Sequence, residues 1–577
     1  MMGETFVGNP LSSLTYPLNI LFLVMPVNLA VIIYQLLHFL IASISVYYLA
    51  KTLKFSNLAS FSAAIFYTFS IKFLFHLSAG HVTMLAAYSF FPLAFLSVRL
   101  ALLKKNIKFL ILGAVSLALM YITYPTIFFY SVIFVAAYGF YFFLKSLLEK
   151  RLSSKIAIYF LLKLSLIILL AMMLCSATLI PNMEFSPFST RSILRIEDVA
   201  IPLWNLKKFL MSLLFPYPIL NELDQESILF IGFIPIILAL IGFFFLTRFQ
   251  KLVFALGMLI LGLFIAGTST PVFKLAYEYI PFLNYSRVTT RPFFIVILIG
   301  SLLSASALQR IKNRKAVFLL IGVFLFESLL LFTLKLKSIP SLDFSETQIY
   351  DLLGSDKSLF RVYCTTHCFN PQQLNKYGIQ MLGGETPIQD KKFVDFLGEV
   401  GGYSYSRFAV IFPPYQVWQV QNPPQPDPIL LGKANVKYVA STYQLASGDF
   451  SYIGYFNKIY LYYNKKYKQR FIFINDQDVK NIYYSPNKIF TTFEPQPFER
   501  ELLFSENYYP GWKAFSQNSQ LRVLKKDNIF RSVMVPAFAK EVELKYQPES
   551  FQAGRAISIG TLFFLLLLLF RKNGQKN

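Results

Sequence analysis

The 577-residue chain is 55% hydrophobic, 17% aromatic and only 15% charged, with a mean hydropathy of +0.52. That is far more apolar side chain than one soluble core needs, which excludes an ordinary soluble enzyme, a disordered chain and a disulfide scaffold. The net charge of +24 fits either a nucleic-acid partner or the basic cytoplasmic loops of a membrane protein, and the positions of the basic residues decide between them.

Apolar stretches near 20 residues long recur along the chain, each enough to cross a hydrocarbon layer of roughly 30 Å. Eleven are expected as transmembrane helices: 27–50, 57–77, 80–103, 106–123, 124–146, 155–180, 227–246, 251–268, 291–309, 315–336 and 553–570. Threading them alternately puts Lys51, Lys54, Lys104, Lys105, Lys108, Lys145, Lys150, Arg151, Lys155, Arg248, Lys251, Arg310, Lys312, Arg314, Lys315, Arg571, Lys572 and Lys576 on one side, against the single acid Glu149. That side is cytoplasmic by the positive-inside rule, and nucleic acid is set aside as a partner. The opposite short loops are balanced, with Arg191, Arg195, Lys207, Lys208, Lys274, Arg287 and Arg291 facing Glu4, Glu184, Glu197, Asp198, Glu222, Asp224, Glu226 and Glu278.

The expected organisation is a tail of an outer loop at 1–26, a membrane domain of ten helices at 27–336, an extracytoplasmic domain at 337–552, and a last helix with a basic cytoplasmic tail at 553–577. Residues 1–26 carry Asn9, Pro10, Pro17 and Pro26 and no basic opening segment, so they do not read as a cleavable signal. Met1 then falls on the outer side. This fits a chain that starts outside, and equally one that lacks a first helix and most of a first outer loop.

Within the long polar stretch, 350–405 mixes short helical patterns such as Lys391 to Leu397 with Gly383-Gly384 and Gly401-Gly402 turns. From Val436 onward period-2 alternation takes over. Lys458 to Tyr463, Arg470 to Ile474 and Glu541 to Tyr546 read as half-buried strands, so an α+β domain closing in a β-sandwich is expected. Cys364 and Cys368 are spaced to close a small disulfide or to remain two thiols, and Cys175 reads as packing in an apolar helix.

Several polar residues invite chemistry. Glu327 lies mid-helix in Leu325 to Leu329, where an ionised carboxylate costs about 3 kcal/mol or more, so it must face protein, be paired or be protonated. Either a proton relay or a structural hydrogen bond satisfies that requirement. Lys72 and Lys163 sit near helix ends, where snorkelling suffices. Arg287 and Arg291, in Asn284-Tyr285-Ser286-Arg287-Val288-Thr289-Thr290-Arg291-Pro292, stand at a helix start on the outer side. Guanidinium forks there suit phosphate oxygens, lipid headgroups or carboxylates of the 181–226 loop. Replacing either arginine by alanine is expected to spare folding and insertion. Arg191 and Arg195 with Glu197 and Asp198 form a second charged cluster, and His76 and His81 flank the turn Leu77 to Gly80. With only four histidines no zinc-ligand pattern stands out, so no metal is assigned and a divalent-metal requirement is left open. There is no phosphate loop, G-x-S-x-G elbow or H-E-x-x-H, which excludes ATP-driven transport within the chain.

Ser505-Glu506-Asn507-Tyr508-Tyr509-Pro510-Gly511-Trp512-Lys513-Ala514, then Asn528 to Pro536 and a strand into the last helix, resembles the C-terminal signature of the bacterial YfhO-type membrane proteins. Their multi-helix part is similar to the C-type glycosyltransferase fold. Supporting pieces are Gly8 to Leu11 with Tyr16 to Asn19, the Gly80-His81 turn followed by Pro92-Leu93, Pro281 to Leu283 with Arg287 and Arg291, and Gly432 to Val439. The resemblance implies a multi-pass protein of the plasma (inner) membrane. It would transfer a sugar on the outer face from a polyprenyl-phosphate carrier to a cell-envelope glycan or protein acceptor, with membrane lipids and the lipid-linked sugar as partners. Enzymes of that fold place a catalytic acid in the first outer loop. This chain departs there, carrying only Glu4, and a truncated or mis-started chain is expected.

On that basis Glu4 and Glu184 are the candidate catalytic carboxylates. Arg287, Arg291, His81 and Arg191 are candidates for the donor phosphate, and Tyr508 and Trp512 for stacking on a sugar ring. The competing expectation is a protein of the same fold that binds or flips lipid-linked glycans without chemistry.

Overall fold

The structure is a computed structural model. It describes every residue except 1, 105, 149–153, 193, 200–205, 287, 338–346, 387, 420–421, 475–478 and 571–577, and also leaves out the side chains of 145–148, 154–157, 206, 285, 371, 372, 418 and 419. Arg287 and the basic residues Lys105, Lys150, Arg151, Arg571, Lys572 and Lys576 therefore lie outside the described residues. Two compact units account for the chain: Pro10–Ile180, Ile193–Pro340 and Ala553–Asn577 form a helical unit, and Met1–Asn9, Pro181–Ser192 and Ser341–Gln552 form a β-rich one.

In the helical unit each apolar stretch carries a helix, as hydrocarbon demands that backbone groups be satisfied within the segment. Among the described residues seven are long and apolar enough to span: Val27–Thr52, Asn57–Ser78, Val82–Leu103, Pro125–Leu144, Arg248–Ile265, Arg314–Lys337 and Glu549–Phe570. Ile107–Thr123, Phe233–Phe244 and Phe293–Leu308 are shorter. Caps mark the starts beside the basic loops: Ser56 accepts the Ala59 N–H at 3.2 Å, and Thr247 and Gln250 close a reciprocal capping box.

Two expected spans come out differently. The stretch 155–180 is broken at Cys175, with Ile158–Leu174 and Ser176–Phe188 meeting at 74°. The Ala177 N–H donates to the Ser558 hydroxyl at 3.0 Å instead of continuing the ladder, and Pro181 removes another donor one turn on. The stretch 227–246 is helical only over Phe233–Phe244. Its first residues are held out of a helix by polar partners, for the Leu229 N–H donates to Ser212 Oγ at 3.2 Å and the Glu226 and Ile228 carbonyls both accept from Lys72 at 3.0 Å. Gly232 makes the turn at φ +105°, and a Cβ there would meet Phe324 at 2.9 Å.

The β-rich unit holds a mixed five-stranded sheet in the order Gln380–Leu382, Arg361–Cys364, Val436–Ser441, Ile459–Asn464, Phe450–Phe456, with its first two pairings parallel. Two antiparallel sheets follow. One runs Ser519–Leu521, Trp512–Ser516, Glu541–Tyr546, Lys488–Thr492, Ile482–Ser485, and the other Val523–Lys526, Phe530–Val535, Arg500–Asn507, Phe471–Phe473. Ile489, Ala514, Val542 and Leu544 of the first pack with Phe471, Leu502, Phe504 and Val533 of the second, which makes the expected sandwich. Along Glu541–Tyr546, Val542 and Leu544 are buried and Glu541, Glu543 and Lys545 half-buried, as the alternation requires. Cys364 and Cys368 are joined by a disulfide.

Candidate functional site

The helical unit gathers its ionisable groups around the turn Asp224 to Ile228. Asp224 Oδ1 accepts the Ser227 N–H at 2.7 Å, and Ser212 Oγ donates to the Ser227 carbonyl at 2.6 Å. Lys72, on the helix Ile71–Ser78, is fully buried and its ammonium donates to the carbonyls of Gln225 at 3.3 Å and of Glu226 and Ile228 at 3.0 Å each. Snorkelling, the expectation for Lys72, does not occur: all three donors are spent on holding this turn. Thr290 Oγ1 donates to the Glu226 carbonyl at 2.7 Å, so the backbone of Glu226 is pinned from two elements.

The Glu226 side chain meets Arg291, whose Nε and Nη2 donate to Oε1 at 3.2 and 3.1 Å. Arg291 takes the carboxylate alternative of the three expected for it, and its guanidinium also lies over the Tyr124 ring at 5.3 Å. Because only about a tenth of each side chain is exposed, Arg291→Ala would strand a buried carboxylate, which argues against the expectation that it spares folding. Beside the pair, His76 Nδ1 and His81 Nδ1 stand 3.1 Å apart with their rings stacked. One ring nitrogen of each histidine and a carboxylate oxygen of Glu226 lie within 4.8 Å of one another, a grouping that could hold a metal ion. The sequence alone assigns no metal. Nor does it single out Glu226 or Lys72, although Lys72 and His76 stand four apart on one helical face.

Glu327, in the same unit, has protein partners: its Oε1 accepts from the Tyr217 hydroxyl and its Oε2 from the Phe233 N–H, both at 3.0 Å.

In the β-rich unit the segment Met2 to Asn9 is tied in along its length. The Asn507 N–H donates to the Met2 carbonyl at 2.6 Å, Thr5 Oγ1 bonds the Tyr546 hydroxyl at 2.8 Å, and Asn9 donates to the Ile388 carbonyl at 3.0 Å. Glu4 accepts the backbone N–H of Asp390, which itself caps the helix Lys391–Gly401 through the N–H groups of Lys392 and Phe393. Glu4 keeps some solvent access, yet protein packs closely enough that loss of hydration pushes its carboxyl up to about 7, with the Asp390 charge adding to the rise. Glu184 lies beside the Tyr509 hydroxyl, and burial with that carboxylate raises the phenol well above its ordinary range. Arg191 lies over the Phe408 ring at 5.8 Å.

The signature segment is built around Glu506, which is fully buried with Arg361, Arg470 and Arg531. Its Oε1 accepts from Arg361 at 2.9 Å, Tyr484 at 3.1 Å and Arg470 at 3.4 Å, and Arg531 lies 3.7 Å from Oε2. Burial alone would push this carboxyl up; the three guanidiniums outweigh it and hold it below the usual range. Arg531 covers the Trp512 ring at 4.0 Å and Tyr546 packs at 5.3 Å, while the Tyr508 N–H donates to the Ile529 carbonyl at 2.6 Å. Gly3 is required here: its φ is +69°, and a Cβ would come within 2.5 Å of Glu506 Oε2.

The helices and sheets define a multi-pass membrane protein with a β-rich second unit. Residues 445–558 match the model of the family described as bacterial membrane protein YfhO, in agreement with the resemblance of the Ser505 to Ala514 segment. No curated protein matches. Among solved structures the chain is similar to the arabinofuranosyltransferase AftD from Mycobacteria, with 10% identity and a TM-score of 0.49 over 91% of this chain and 52% of that one. The chain thus spans about half the length of AftD.

Proposed function

We propose that the chain is a membrane glycosyltransferase that moves a sugar from a polyprenyl-phosphate carrier to a cell-envelope acceptor on the outer face of the plasma membrane, within an architecture of about eleven spans. The observation that carries it is where the buried polar cluster sits. His76 ends one span, His81 precedes the next, Arg291 precedes the helix Phe293–Leu308, and the basic residues Lys54, Lys104 and Arg310 sit at the other ends of these three helices. A preorganised arginine at the outer ends of apolar helices is where the phosphate of a lipid-borne donor would lie, and a guanidinium anchored by Glu226 through Nε and Nη2 still carries Nη1 to stabilise charge that develops on a departing phosphate. The Cys364–Cys368 disulfide supports an oxidising, extracytoplasmic setting for 337–552.

Arg291, His81 and Arg287 take the donor phosphate in this proposal, and Arg191 assists on its own unit. Glu4, titrating about 7, is matched to accept a proton from an acceptor hydroxyl near neutral pH, with Glu184 as second carboxylate. Tyr508 and Trp512 offer aromatic edges to a sugar.

The test is reconstitution of the full chain in proteoliposomes with a panel of polyprenyl-phosphate sugars, following free polyprenyl phosphate by mass spectrometry. Donor-specific release is expected, falling about 10- to 100-fold in Arg291→Lys, which keeps the charge but loses the fork. Failure of the folded wild-type chain to consume or bind any donor in the panel overturns the proposal.

A further inference from the structure

The grouping of His76, His81 and Glu226 has the donor set of a divalent metal site, and its surroundings are built to hold it. Two imidazole nitrogens and one carboxylate oxygen, with a fourth position open, is a combination zinc takes with three protein ligands. On bond lengths of about 2.0–2.1 Å, two nitrogens on one tetrahedral zinc stand roughly 3.3 Å apart. The Nδ1 atoms of His76 and His81 stand 3.1 Å apart. A carboxylate oxygen of Glu226 lies within 4.8 Å of a ring nitrogen of each histidine.

A second, independent observation concerns the same side chains. Arg291 engages Oε1 of Glu226 with both of its bonds, while Oε2 of Glu226 and Nε2 of His76 are buried with no hydrogen-bond partner. Buried polar atoms in that condition cost about 1–3 kcal/mol each, and a ligand that engages the carboxylate oxygen relieves one of them. Supporting groups are in place as metal sites require: Arg291 fixes the carboxylate plane, and Lys72 and Thr290 fix the backbone of Glu226. Of the chain's four histidines, His38 has both nitrogens engaged, Nδ1 with the Tyr34 carbonyl at 2.6 Å and Nε2 with the Tyr16 hydroxyl at 2.7 Å.

We infer that His76, His81 and Glu226 bind one zinc-class divalent cation, with a fourth coordination position left for an exogenous oxygen ligand. The inference stands on these three side chains and does not require that the chain transfer sugar.

The experiment uses the full chain, purified in detergent through a tag without histidine, dialysed against metal-free buffer, and assayed by elemental mass spectrometry and by titration with Co2+. About one equivalent of tightly held metal per chain is expected, or one equivalent of Co2+ with the visible absorption of a four-coordinate site. In His81→Ala that binding should fall at least 10-fold with unchanged circular dichroism. His81 is half-buried and outside the Glu226–Arg291 pair, so this variant is the one least able to fail by misfolding; Glu226→Gln serves as a second. A wild-type chain that takes up no stoichiometric metal, or a folded His81→Ala that keeps it, overturns the inference. Donor turnover is scored separately, so a metal-binding chain without transferase activity would sink the proposed function and leave the site standing.

Discussion

Arg291 places two guanidinium nitrogens, Nε at 3.2 Å and Nη2 at 3.1 Å, on one oxygen of Glu226. Both side chains are largely withdrawn from solvent, so each charge depends on the other. Removing one partner of such a pair costs about 3–5 kcal/mol, whereas replacing both by apolar groups of similar volume is close to neutral. Arg291→Ala should therefore lower the thermal midpoint of the detergent-solubilised protein sharply, and Arg291→Met combined with Glu226→Leu should recover most of the loss. A double variant as unstable as the single one would show that the pair is not the source of the effect.

Glu506 stands to three arginines as Glu226 stands to one. Glu506→Gln would leave Arg361, Arg470 and Arg531 fully buried without a counter-charge, and a loss of about 3–5 kcal/mol is expected in the β-rich unit. Glu501, paired with Lys526 at 3.1 Å on the half-exposed rim of the same strand, is the control. Its change to Gln should cost no more than about 1 kcal/mol. Limited proteolysis across a temperature series separates the two, and equal protection in both variants would remove Glu506 from its central place.

The contrast between these acids explains what was legible from the residues and what was not. Spans announce themselves by apolar length, and Glu541–Tyr546 by its alternation, because both are local patterns tied to one face or one solvent. Arg361–Cys364 carries no alternation, since a strand with parallel neighbours and both faces covered is buried at every position. Glu327 could be read correctly as needing a protein partner, because hydrocarbon leaves it no other choice. Glu226 looked like one more acid of a balanced loop. Its importance arises from Lys72, His76 and Arg291, which lie 154, 150 and 65 positions away in the chain and are brought to it only by helix packing. Glu506 was visible as part of a signature, but residue spacing does not distinguish an ion-pair hub from an exposed carboxylate.

Glu4 supplies a pH prediction whose sign can be worked out. Its folded pKa of about 7 lies above the ordinary 4.5, so the folded state holds this proton more tightly than the unfolded chain does. The stabilisation that protonation brings is fully present below about 4.5 and is lost as the pH rises through about 7. Against Glu4→Gln, which cannot ionise, wild type should lose at most about 2 kcal/mol between pH 5 and 8, with the partial solvent access of Glu4 discounting the figure. Parallel melting curves of the two proteins across that range check it. A constant offset between them would mean that Glu4 ionises in the fold as freely as it does in water.

Glu327 offers the sharpest separation between a structural acid and a proton carrier. Its Oε2 receives the N–H of Phe233, the first residue of the helix Phe233–Phe244, directly after Gly232 makes its turn at φ +105°. A helix start inside a membrane unit has no water to satisfy that donor, and Tyr217 needs an acceptor for its hydroxyl as well. Glu327→Gln retains a carbonyl oxygen that can take one of these two bonds, so a loss of about 1 kcal/mol is expected. Glu327→Leu strands both donors and should cost about 2–4 kcal/mol, while keeping the apolar surface of its helix. If the acid instead carried protons, Gln and Leu would be equally damaging to activity and neither would change the melting temperature. Thermal melts of the two variants together with donor turnover in proteoliposomes decide between these patterns, and the hydrogen-bond geometry predicts the graded loss of stability.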